Sequence, residues 1–127
     1  MAIIKTTKES EKKQVALNAG NKIIERIKEV SNSGEIKSSD TEISLSEGLV
    51  LNKNADNVFN GKQLLDSNGK NTSSNCKYIA LVNLSKNDLS LNSDSKIGYL
   101  YDVTVTITDS NNNLLFNEKY NQIIKIN

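Results

Sequence analysis

At 127 residues with a net charge of +1, from 16 Lys and Arg against 15 Asp and Glu, the chain has the length of one domain and interleaved charge, which gives no nucleic-acid footprint. It holds no His and one cysteine, Cys76, so a His proton shuttle, a Cys/His zinc site and an internal disulfide are excluded as well. Asn makes up about one residue in seven and Pro and Trp are absent, the bias of an AT-rich genome and one that favours polar turns.

The start, Met1-Ala2-Ile3-Ile4, runs straight into Lys5-Thr6-Thr7-Lys8-Glu9, so it does not read as a signal peptide, and no stretch approaches the ~20 apolar residues that span a bilayer. From about Ile3 to Val30 there is no Pro and Gly20 is the only Gly, which permits a helix of about seven or eight turns. In its second half Ala16, Gly20, Ile23, Ile27 and Val30 fall on one stripe at three- and four-residue steps, flanked by Leu17, Ala19 and Ile24. The expected docking face is therefore Ala16, Gly20, Ile23, Ile24, Ile27 and Val30, with each large side chain contributing on the order of 1.5–3 kcal/mol as an upper bound. The small pair Ala19 and Gly20 would let a partner backbone come close. The first half, Lys5 to Gln14, offers almost no apolar face and only modest support such as the Glu9 to Lys13 pair. It cannot dock by burial, and is expected to project from the domain and continue upstream; a frayed chain end is the alternative. Ser31-Asn-Ser-Gly34 stops the helix.

Ile43-Ser-Leu45-Ser alternates like a half-buried strand, and Gly48 to Leu51 carries a second apolar patch. Asn52 to Asn75 is rich in Asn, Ser, Gly and Lys, with Val58, Phe59, Leu64 and Leu65 as its substantial apolar residues, and reads as a long loop pinned by them, the kind of segment that carries recognition. Tyr78 to Leu84 is apolar on both faces, as a central strand would be. Tyr99 to Asp109 is the clearest strand, Tyr99, Tyr101, Val103, Val105 and Ile107 alternating with Asp102, Thr104, Thr106 and Thr108. Asp109 to Asn113 reads as a hairpin turn, Leu114 to Lys119 as the returning strand, and Ile123, Ile124 and Ile126 as a last one. The expected class is α+β, a single domain over 1–127: a helix (1–31), a connecting region with strand and Asn-rich loop (35–77), and an antiparallel meander (78–127) giving four to five strands in all.

Carboxylates are the remaining acid/base groups, and no pair is singled out for glycosidic chemistry. Glu9, Glu11, Glu25, Glu29, Asp56, Asp66, Asp88 and Asp94 sit in polar contexts that favour solvated roles. Asp66-Ser-Asn68-Gly-Lys70 and Asp109-Ser-Asn111-Asn-Asn113 begin like calcium loops but lack the glycine at the sixth position and the carboxylate at the twelfth, so turn chemistry explains both. Asn71-Thr-Ser73 and Asn83-Leu-Ser85 match the glycosylation sequon at chance level in so Asn-rich a chain. No catalytic, cofactor-binding or metal-binding residue is assigned, and no enzyme is expected.

A long N-terminal helix whose second half docks on an antiparallel meander resembles the soluble part of type IV pilins and pseudopilins. Gln14 to Lys28, Gln-Val-Ala-Leu-Asn-Ala-Gly-Asn-Lys-Ile-Ile-Glu-Arg-Ile-Lys, looks like the docking helix of minor pilins, and Tyr99 to Asp109 like their late strand. The resemblance implies a pilin-like fold and a structural subunit, a minor pilin or pseudopilin of a type IV pilus or related secretion filament, assembling through helices with the 52–75 loop facing outward. It implies other pilin subunits as partners, with Ile3, Ile4 and Thr7 approaching neighbours, no nucleic acid, and an extracellular location after membrane anchoring. In the family that anchor is an apolar helical segment with a glutamate at its fifth position, and the resemblance implies such a segment upstream of the polar start here. The Asn, Lys and Ile bias and the lone Cys76 fit a low-GC Gram-positive bacterium, where pilins without disulfides are familiar. The rival reading is a secreted or cell-surface binding module in which the 52–75 loop and the Thr-rich sheet face hold a ligand.

Overall fold

The computed structural model describes residues 2–37, 39–46, 48–55, 58–86 and 99–126, with backbone alone at 2–9 and 55. One helix, α1 (Ala2–Ser33), precedes six strands: β1 (Glu42–Ser46), β2 (Leu49–Ala55), β3 (Val58–Leu65), β4 (Tyr78–Lys86), β5 (Tyr99–Asp109) and β6 (Leu114–Ile124). They form one sheet in the order β1-β2-β3-β4-β5-β6, every neighbouring pair antiparallel.

This overturns the expectation of a pilin-like fold in which a long helix packs on four to five strands. The domain is strand-rich, and the extra strands come from the region read as connection and loop. Asn52 and Asn60 are strand residues, paired with each other across β2 and β3, and Asn60 pairs onward with Asn83 of β4. The polar run Asn60-Gly-Lys-Gln63 belongs to β3 because its neighbours demand an extended chain: Phe59 and Leu65 enter the core. Gly61 lets β2 come close, since a Cβ there would lie 2.4 Å from the Val50 carbonyl oxygen.

The inner face of the sheet follows the period of two. Ile43, Leu45, Leu49, Leu51, Ala80, Val82, Leu84, Val103, Val105 and Ile107 are all buried and join one core with Ala16, Ile23 and Ile27 of α1. The helix touches β6, β5 and β1, thus both edges of the sheet, so the sheet curls round it. A bulge between Ser44 and Ser46 takes Leu45 out of the β1 ladder, and its freed carbonyl accepts from Arg26 Nε of α1. The helix ends where its own serines take over the last carbonyls: Ser31 Oγ donates to Ile27 O at 2.6 Å and Ser33 Oγ to Val30 O at 2.8 Å. Gly34 then turns with φ +73°, and Lys125 N ties the chain after β6 back to Ser31 O at 2.9 Å.

Candidate assembly site at the helix exit

The two Asp-Ser-Asn segments fold into the same turn. In the first, Asp66 N donates to Lys70 O (2.8 Å) and Gly69 N to Asp66 O (3.0 Å), while Asp66 Oδ1 accepts from Asn68 N (2.8 Å) and Lys70 N (3.0 Å). In the second, Asp109 N donates to Asn113 O (3.0 Å) and Asn112 N to Asp109 O (3.1 Å), while Asp109 Oδ1 accepts from Asn111 N and Asn113 N, both at 2.9 Å. The fourth residue is left-handed in each, Gly69 at φ +77° and Asn112 at +65°, which is why Gly and Asn stand there. These bonds hold both carboxyls below the ordinary aspartate range: Asp66 through the Lys70 and then the Asn68 amide, Asp109 through the Asn113 amide and side chain first, with Asn111 and the Lys12 charge adding to it. Asp109 is 4% exposed, and those donors satisfy it.

Both turns lie at one end of the sheet, and both meet α1. Gly69 sits against Val15 and Ala19, where a Cβ would lie 3.1 Å from Val15 Cγ1 and 3.6 Å from Ala19 Cβ. Asp109, Asn113, Leu114 and Leu115 share a cleft with Lys12 and Lys13. Residues 12–19 therefore pass between the twin turns. On one side of that collar Ala16, Ala19, Gly20, Ile23, Ile27 and Val30 face inward and are buried, with Ile24 half-buried beside them. On the other, Ser10 to Gln14 are exposed while the backbone stays helical back to Ala2. The side chains of Ile3, Ile4 and Thr7 lie outside the described residues.

Gly20 is occupied differently from the expected backbone approach: the Phe116 ring of β6 packs on it, and a Cβ would stand 2.5–2.7 Å from three ring carbons. Cys76 is half-buried and its thiol donates to Tyr78 O at 3.1 Å. The helix collar itself was not foreseen; the Asp-Ser-Asn signature announces each turn, and nothing local announces that the two turns share a helix.

The opposite face of the sheet carries a polar row. Pairing aligns Glu42, Asn52, Asn60, Asn83, Thr104 and Lys119 across all six strands, about 24 Å at the usual strand spacing. Beside it lie Leu81 and Thr106, and Asn60, Lys62, Leu81, Asn83, Thr104 and Thr106 line a shallow depression. Val50, Leu81, Leu114 and Ile123, exposed large apolar residues, also sit on this side. Among the described residues no group of His, Cys, Asp and Glu is placed to share a metal ion, and no helix is long and apolar enough to cross a membrane. Compared with family models, with curated proteins and with solved structures, the chain matches none.

Proposed function

We propose that this protein is a structural subunit of a filament, a type IV pilus or a related secretion filament, that assembles with other pilin or pseudopilin subunits through its helix, here carried on a six-stranded sheet. The observation that supports this reading is the division of α1 at the collar. From Ala16 onward the helix buries its inner stripe in the core while Leu17 stays exposed, and before Val15 it continues through Ser10 to Gln14 as exposed helix, a continuation that adds little burial within its own domain. With little packing of its own to stabilise it, that stretch is open to packing against the helix of a neighbouring subunit. In this reading the sheet faces outward at the cell surface and no residue carries catalysis.

A second reading, a cell-surface binding module, is favoured by the sheet's bare face, where Asn52, Asn60, Asn83 and Thr104 have hydrogen-bonding capacity unspent among the described residues. Cysteine crosslinking in the source cells separates the two. In a Cys76→Ser background, Lys12→Cys should give a ladder of covalent multimers with a bifunctional thiol reagent, and Thr106→Cys should stay monomeric. Multimers through Thr106→Cys with none through Lys12→Cys would reject helix-mediated assembly.

A further inference from the structure

At the end of the sheet away from the collar, the inner face opens into a pocket of about 160 Å³. Its floor is aromatic: Phe59 of β3 and Tyr101 of β5 are buried, and Tyr99 is half-buried beside them. Its rim is cationic, with Lys37 from the segment after α1, Lys53 from β2 and Lys86 from β4. Three segments remote in sequence thus each bring a lysine to one cavity, and no described residue lining it is acidic. Among the described residues these lysines form no ion pair, the one present there being Arg26 with Glu29 at 3.1 Å. Of the described acids close to Lys37 in the chain, Glu35 is exposed and Asp40 turns a carboxylate oxygen to the backbone, accepting from Lys37 N at 2.9 Å.

Lysines commonly lay their stems over apolar surface and send the ammonium into water. Lys86 does otherwise. Its Nζ stands 4.2 Å from the Tyr99 ring centroid, so the charge is held over the pocket wall by the ring. Burial first, and then the neighbouring Tyr99, push the Tyr101 phenol above its ordinary range, so it is a hydroxyl donor at neutral pH. Ammonium groups and phenolic hydroxyls donate to the same kind of partner, a compact group with several acceptor oxygens and negative charge.

We propose that this pocket binds an oxyanion of the phosphate or sulfate type, held by Lys37, Lys53 and Lys86 with the tyrosines at its floor. The site is independent of the assembly reading, since it lies at the other end of the domain from the collar.

The test is a titration of the full chain, labelled with nitrogen-15, with inorganic phosphate at constant ionic strength set by sodium chloride. Saturable amide shifts are expected at Lys37, Lys53, Lys86 and Tyr99. Lys86→Gln and Lys53→Gln should each weaken binding about threefold or more, as loss of one exposed charge pair does, while Lys28→Gln on the outer side of α1 leaves it unchanged. Either glutamine variant suffices, so one that fails to fold leaves the other to decide. A parallel titration with glucose 1-phosphate distinguishes the source: tighter binding than inorganic phosphate supports an esterified ligand, and equal binding supports the free anion. Shifts that do not saturate, that sodium chloride alone reproduces, or that both folded glutamine variants retain at full affinity would overturn the proposal.

Discussion

Residues 15–31 and residues 10–14 of α1 share one backbone geometry and differ in everything that stabilises it. The later stretch places Ala16, Ile23 and Ile27 in the core, hands its last carbonyls to Ser31 and Ser33, and reaches across to the β1 bulge through Arg26. The earlier stretch, exposed throughout, has the Gln14 to Asn18 side-chain bond at 3.0 Å and the Asp109 turn near Lys12. Tertiary packing, more than helix propensity, stabilises most helices in proteins. The contrast teaches that the domain specifies the helix only from the collar inward.

The largest expected effect is on the docked side. Ile27, 1% exposed, should cost about 3 kcal/mol when replaced by Ala, read by urea denaturation, whereas Lys13→Ala should stay within about 0.5 kcal/mol. Equal losses would erase the distinction between the two stretches. Gly20→Ala comes next. The added methyl meets the Phe116 ring, an overpacking penalty of roughly 1–3 kcal/mol that the better helix propensity of Ala, about 1 kcal/mol, only partly offsets. The double variant with Phe116→Leu should recover part of that loss, and strict additivity would place the strain elsewhere.

The collar is expected to show itself in acid. Asp66 and Asp109 are held below their ordinary range when folded, so their contribution is present above the unfolded aspartate pKa of about 4 and is lost as pH falls through the lower folded values. Stability should therefore decline in that window, and Asp66→Asn with Asp109→Asn should flatten the decline. An unchanged acid limb in the double variant would remove the turns from the account.

How far the sequence announces this molecule differs from place to place. β5 is plain in it: Thr104, Thr106 and Thr108 alternate with Val103, Val105 and Ile107, and the structure puts the first set outside and the second inside. The stretch 52–65 is not. Asn60, Gly61 and Lys62 are weak strand formers whose place in β3 is decided by partners, through Gly61 under the Val50 carbonyl and the pairing to Val82 and Leu81, and tertiary pairing of this kind leaves no local signal. The same holds at the collar. Asp66 and Asp109 each mark a turn, but their shared position against residues 12–19 depends on sheet curvature. It also holds at the cationic pocket, where Lys37, Lys53 and Lys86 lie far apart in the chain and were lost among 16 basic residues.

Native-state hydrogen exchange on the isolated chain, resolved by residue, tests the division of α1 most directly. The account predicts that amides of 23–31 exchange only with global unfolding while those of 10–14 exchange at least about a hundredfold faster. Uniform protection from residue 10 to residue 31 in the monomer would contradict it, because the stub would then be stabilised by its own domain and no neighbour would be needed.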